Sequence, residues 1–126
     1  MANISMDGVG GCSYVTMNAK SSDALKAGMA VTITGANEVG FGQSTGSAVY
    51  GVVVRDKDER GLVAVQVSGF ATDVMTASGA SITPGQAAVC NNLGELMTPG
   101  ELTEKAVRAV VTAFNDGDTK TCDILL

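Results

Sequence analysis

Two runs of alternating residues separated by a charged turn constrain this chain more than any other stretch. From Ala48 to Gly69 the sequence reads AVYGVVVRDKDERGLVAVQVSG. Val49, Gly51 and Val53 alternate with Tyr50, Val52 and Val54, and all but Gly51 are good strand residues. Val63, Val65 and Val67 then alternate with Leu62, Ala64, Gln66 and Ser68 beyond the polar segment Asp56 to Gly61. A period of two on both sides of a polar turn predicts an antiparallel hairpin. Both faces of its first strand are apolar, so protein is expected on both sides of it.

The remainder fits a β-rich chain. At 126 residues, without Trp and with three Phe and two Tyr, the core must be built from Val, Ala, Leu, Ile and Met. Sixteen glycines predict many tight turns. The expected fold class is all-β: a small compact β-barrel or sandwich of short antiparallel strands. Short strands are expected at Cys12 to Met17, Met29 to Thr34, Phe70 to Met75, Gln86 to Cys90 and Glu95 to Met97, with a closing strand over Thr119 to Leu126. Ala36 to Ser47 reads as a long glycine-punctuated connection, and Asn91 to Gly94 as a tight reversal. Residues 1–24 read as a flexible or partly extended N-terminal arm ahead of a single β domain over 25–126.

Residues 101–114 carry two patterns. Leu102, Ala106, Val110 and Phe114 fall four apart, as on one face of a short helix. The β-branched alternation from Ala106 to Ala113 reads equally as a strand. A weak internal repeat favours the strand. Leu25-Lys-Ala-Gly-Met-Ala-Val31 is echoed by Ile82-Thr-Pro-Gly-Gln-Ala-Ala88, and Asn37-Glu-Val39 by Gly94-Glu-Leu96 at the same spacing. Val49-Tyr-Gly-Val-Val-Val54 is echoed one residue later by Val107-Arg-Ala-Val-Val-Thr112.

Chemistry is hard to assemble from these residues. There is no His to serve as the base of a hydrolytic triad. Cys12, Cys90 and Cys122 share no short spacing and read as reduced structural thiols, so neither a disulfide scaffold nor a zinc site is expected. The GFGQSTG segment lacks both the spacing and the strand-then-helix setting of a dinucleotide site. Asp116-Gly117-Asp118 matches only a fragment of a calcium loop, and the charges of Asp56 to Arg60 read as a self-neutralised, solvated turn. No catalytic, cofactor or metal residue is therefore assigned. Net charge is −5 with scattered basic residues, which argues against a nucleic-acid surface. No run approaches a membrane span, and the N-terminus carries no basic region followed by an apolar one, so a cytoplasmic protein is expected unless it leaves within an assembly. Candidate contact residues are Phe41, Tyr50, Phe70 and Tyr14. Among them Phe41, between Gly40 and Gly42, is the first choice for an exposed apolar anchor.

From about Asp23 to Leu126 the order of these phrases resembles the capsid cement, or head-decoration, proteins of tailed bacteriophages and prophages. The resemblance rests on Leu25 to Val31, Val49 to Val54, Val67-Ser-Gly-Phe70, Ile82-Thr-Pro-Gly-Gln-Ala-Ala-Val89, the Asn91 to Gly94 turn, and Asn115-Asp-Gly-Asp118 with Ile124-Leu-Leu126. It implies a non-enzymatic structural protein on the outer surface of a viral shell, commonly a homotrimer, with the major capsid protein as partner and residues 2–22 ordering against the shell or a neighbouring subunit. The virion surface is the implied destination, after synthesis in the bacterial host cytoplasm. Two other classes compete: a small soluble β-barrel binding or adaptor module, which predicts a monomer with an aromatic-lined groove, and a metal-dependent enzyme domain, which requires the two acidic turns to converge.

Overall fold

The structure, a computed structural model, describes residues 12–99 and 109–126. Every regular element among them is a strand: β1 (Ser13–Ala19), β2 (Ala30–Gly35), β3 (Glu38–Gly40), β4 (Ser47–Ala48), β5 (Gly51–Arg55), β6 (Leu62–Ser68), β7 (Phe70–Met75), β8 (Val89–Cys90), β9 (Leu96–Met97), β10 (Val110–Asp116) and β11 (Lys120–Leu125). The expected hairpin is β5 and β6, antiparallel, with Val53 opposite Val65. Ser47 and Ala48 belong to a separate short strand. Val110 to Phe114 is strand, which decides that part of the 101–114 ambiguity; residues 100–108, with most of the alternative helix, lie outside the described residues.

Five strands close into a barrel in the order β1-β3-β2-β5-β6, with β6 returning to β1. The span expected as an arm is thus divided: Ser13–Ala19 is a barrel strand, antiparallel to β6 and parallel to β3. β3 lies inside the stretch expected to be a connection. Asn37, at φ 54, makes the tight turn that returns the chain from β2 into β3.

The second half of the chain repeats this barrel at a shift of 57 residues (Leu25 to Ile82), or one to two more toward the end. Ala19 pairs with Val39 in parallel, and Thr76 with Leu96 in parallel. Lys20 N–H donates to Val39 C=O at 2.9 Å, and Ala77 N–H to Leu96 C=O at 2.8 Å. Ile33 faces Val39 across one hairpin; Cys90 faces Leu96 across the other. Ala30 pairs with Val52, and Ala87 with Val110. The β5–β6 ladder breaks register between Val53 and Arg55, the β10–β11 ladder between Val111 and Ala113. β7 flanks β11 as β1 flanks β6. The three-stranded sheet β10-β11-β7 and the pair β8-β9 are therefore two parts of one second barrel, joined by the Thr76–Leu96 and Ala87–Val110 bridges.

Each barrel fills itself with the same positions. Leu25, Val31, Val39, Val53, Val63 and Val65 form the core of the first. Ile82, Ala88, Leu96, Val111, Cys122 and Ile124 take the equivalent places in the second. The turn entering each hairpin is also shared. Gly28 N–H donates to Val53 C=O at 2.8 Å and Gly85 N–H to Val111 C=O at 2.7 Å, with φ of 94 and 97. That left-handed conformation favours glycine, and the space around Gly85 is open, so only backbone strain opposes a side chain there. Gly51 is constrained differently: a Cβ would run into Val65 Cγ1 and sit 2.7 Å from Gln66 C=O.

Three substitutions test these placements. Gly85→Ala is expected to cost about 1 kcal/mol from backbone strain alone, whereas Gly51→Ala costs roughly 1–3 kcal/mol through overpacking. Leu96→Ala, which leaves a void in the second core, is expected to cost about 2–5 kcal/mol. Urea denaturation of the three variants checks the ranking. A Gly51→Ala protein as stable as wild type would show that the β5–β6 approach is looser than described.

Candidate functional site

The charged turn between β5 and β6 does more than dissolve in water. Asp58 Oδ1 accepts from Leu62 N–H and Arg60 N–H, each at 2.9 Å, and Asp58 Oδ2 pairs with the Arg60 guanidinium at 3.1 Å. The bond from Leu62 N–H leads the effects that hold the Asp58 carboxyl below its ordinary value, with Arg60 adding to it. Asp56 Oδ1 reaches across to Ala27 N–H at 2.8 Å, and Lys57 Nζ donates to Ser21 and Asp23 C=O, each at 3.2 Å. Those bonds clamp the turn onto the β1–β2 connection, which corrects the reading of it as wholly self-neutralised. In the second barrel Asp116 pairs with Lys120 at 3.3 Å, and Lys120 Nζ also donates to Ala80 C=O and lies 5.8 Å above the Phe114 ring.

Nothing described gathers these groups into a reactive centre. Among the described residues no three His, Cys, Asp or Glu side chains are grouped to hold a metal. Burial pushes the Cys90 thiol up to about 11 and raises that of Cys122 as well, away from the thiolate form that does chemistry. Hollows of about 130 and 120 Å³ occupy equivalent places on the two barrels, one against Arg55, Asp58 and Arg60, the other against Asp73, Phe114 and Asp123. A third, of about 260 Å³, lies between Leu25 and Asp56. All three fall below the roughly 300 Å³ at which small-molecule sites begin. The glycine-punctuated GFGQSTG loop is used internally: Phe41 N–H donates to Asp23 Oδ2 at 2.9 Å and Gly42 N–H to Asn91 C=O at 3.0 Å.

The four aromatic candidates separate. Phe41 is half-buried, packs against the first core, and lies where a Cβ on Gly94 would meet its ring at 3.0 Å. It fills the seam between the barrels rather than standing free, because the bonds of Phe41 and Gly42 draw its loop inward. Tyr14 and Tyr50 are exposed at the surface of the first barrel. Tyr14 pairs with Gln66 across β1 and β6, and a hydrogen bond with Cys12 raises its phenol above the usual value. Phe70 is half-buried, and it is the one brought into an apolar row: Val110, Leu125 and Phe70 lie side by side across β10, β11 and β7. Val110 and Leu125 were not among the sequence candidates. The echo of Val49–Val54 in residues 107–112 was the available signal, because it sets Val110 opposite Val52 in the repeat.

A scan against protein-family models matched no family, and a search of curated proteins returned no match. The chain is thus defined by its architecture, a closed five-stranded barrel followed by a second, barrel-like unit whose sheets are joined by isolated bridges, and by an apolar row on the second.

Two measurements probe this chemistry. Thiol titration with a disulfide reagent at about pH 8 is expected to modify Cys12 first, with Cys90 slowest and reacting on unfolding. Asp58→Ala is expected to lower the melting temperature more than Asp58→Asn, which keeps an acceptor for Leu62 N–H. Because the Asp58 carboxyl is lowered in the folded state, its contribution is complete above the ordinary carboxylate value of about 4. It is lost as pH falls through the lowered one, so the gap between wild type and Asp58→Ala should narrow in acid melts.

Proposed function

We propose that this protein is a non-enzymatic structural protein that binds the outer surface of a bacteriophage or prophage capsid and stabilises it, acting as a homotrimer on the major capsid protein shell. The reading rests on the resemblance of its ordered strand and turn phrases to capsid cement proteins. The observation that supports it is the apolar row Val110–Leu125–Phe70 on the three-stranded sheet, with Val110 and Leu125 exposed and Phe70 half-buried, a surface through which copies of such a protein associate. Such a patch suits a protein partner better than a small molecule. A protein of this kind needs no deep pocket; it needs a stiff body whose contacts recur on a lattice, where many weak attachments add through effective concentration. Its place is the virion surface, reached after synthesis in the host cytoplasm.

The test is co-sedimentation of purified protein with expanded shells of the phage or prophage that encodes it, prepared without their decoration protein. Saturable binding at a fixed ratio to capsid subunits, with a rise in the melting temperature of the shell, is expected. Absence of binding to such shells overturns the proposal and favours the adaptor reading.

A further inference from the structure

The two barrels meet through unlike faces. Gly28 C=O accepts from Met75 N–H, and Ala30 N–H donates to Gly94 C=O, both at 2.9 Å. A two-fold seam would match these with contacts from Asn18 to Gly85 and from Asn37 to Ala87. Instead Asn18 N–H donates to Asn37 C=O within the first barrel, and Asn37 is exposed. The seam is head-to-tail. Its head, on the first barrel, carries Ala30, Val49 and Val52, which turn out of their own barrel and join the core cluster of the second. Its tail, on the second barrel, carries Cys90, which pairs with Ser47, and the turn ending at Gly94.

Head-to-tail packing of two like units leaves one head and one tail uncovered, and this chain shows both. Val52 is 4% exposed, while its equivalent Val110 is 41% exposed. Gln66, 5% exposed, is replaced at the equivalent place by Leu125, 50% exposed. Ala30 is fully buried, and its equivalent Ala87 is half-buried. At the other end Cys90 is fully buried, and its equivalent Ile33 is 43% exposed. The polar-to-apolar change at Leu125 matters most: Gln66 serves the chain's own carbonyls at Ser68 and Phe70, and Leu125 has an apolar side chain turned to solvent in its place.

We infer that the head of the second barrel, Val110 and Leu125 with Phe70 beside them, docks on the tail of the first barrel of another copy, around Ile33, reproducing between molecules the seam that joins the barrels within one. This deepens the proposed function by naming the contact through which copies associate, and it stands on the repeat geometry independently of any shell. A heterologous contact of this kind closes into a ring when the rotation permits. Three copies so joined contain six equivalent barrels.

The experiment uses two variants of the full chain, Val110→Glu with Leu125→Glu to block the head, and Ile33→Glu to block the tail. Mass is measured by light scattering over a wide concentration range, with circular dichroism melts as the check on folding. Wild type is expected to form a closed oligomer. Each variant alone is expected to be monomeric, its self-affinity reduced about a hundredfold or more by burial of an unpaired charge. An equimolar mixture of the two is expected to give dimers and nothing larger, because one intact head meets one intact tail. A monomeric wild type overturns the inference, as does an oligomer that survives either blockade, or a mixture that stays monomeric while both variants melt like wild type. If wild type is monomeric but a chain lacking residues 2–11 associates, the uncovered end is occupied by the chain's own N-terminal residues, and the inference also fails. Shell binding is scored separately on the same proteins, so loss of the oligomer and loss of attachment are told apart.

Discussion

Closure of a very small sheet is the constraint on which the rest of the molecule depends. A strand pair with free edges is marginal in water, and an open edge invites further pairing. Each half of this chain brings its first strand beside its third in parallel, through Asn18–Ala19 with Glu38–Val39 in one and Thr76 with Leu96 in the other, reinforced by a hydrogen bond from the next residue's N–H. Parallel pairing of β1 with β3 brings the first strand of each unit back beside its third. The interior of so small a barrel is then filled by few side chains, which explains why valine, alanine and leucine suffice and why the chain needs no tryptophan. The second unit is held closed by two isolated bridges, Thr76–Leu96 and Ala87–Val110, so it depends more heavily on the seam and on the large side chains of Leu96 and Ile124.

The hairpin Gly51 to Ser68, the entrance turns and the reversal at Asn91 were legible in the sequence because each is a local pattern: alternation, a glycine in a left-handed turn, or an asparagine capping its own loop through Leu93 and Glu95 N–H. The repeat was legible for the turn and hairpin phrases and invisible for β1 and β7. Ser13 to Ala19 and Phe70 to Met75 share no residue at the shift of 57. What identifies them as equivalent is the partner each one flanks. β3 was missed for a related reason: three residues between an asparagine turn and a glycine loop carry no alternation, and only the ladder to β2 makes them a strand.

The candidate surface was less legible. Aromatic type and flanking glycines drew attention to Phe41, yet glycines on both sides are also what a loop needs to fold tightly into a seam, and that use prevails here. Val110 and Leu125 looked like ordinary strand residues. Their significance appears when they are set against Val52 and Gln66, which occupy the same places in a buried setting. Exposure at one copy of a position that is covered in the other is information that a single strand cannot hold.

The unequal filling of the two cores has a consequence for assembly in the folding chain. Tandem units of one fold, tethered and made together, are prone to exchange strands and trap one another in mixed barrels. Here Val31 stands against Ala88, Val39 against Leu96, and Val63 against Cys122, so small and large positions are distributed differently in the two interiors. A strand inserted into the wrong barrel leaves a void at one layer and a clash at the next, each of which costs stability in a close-packed interior. Divergence inside the repeat thus acts as a key, admitting each strand to one barrel and making the mismatched pairing self-correcting.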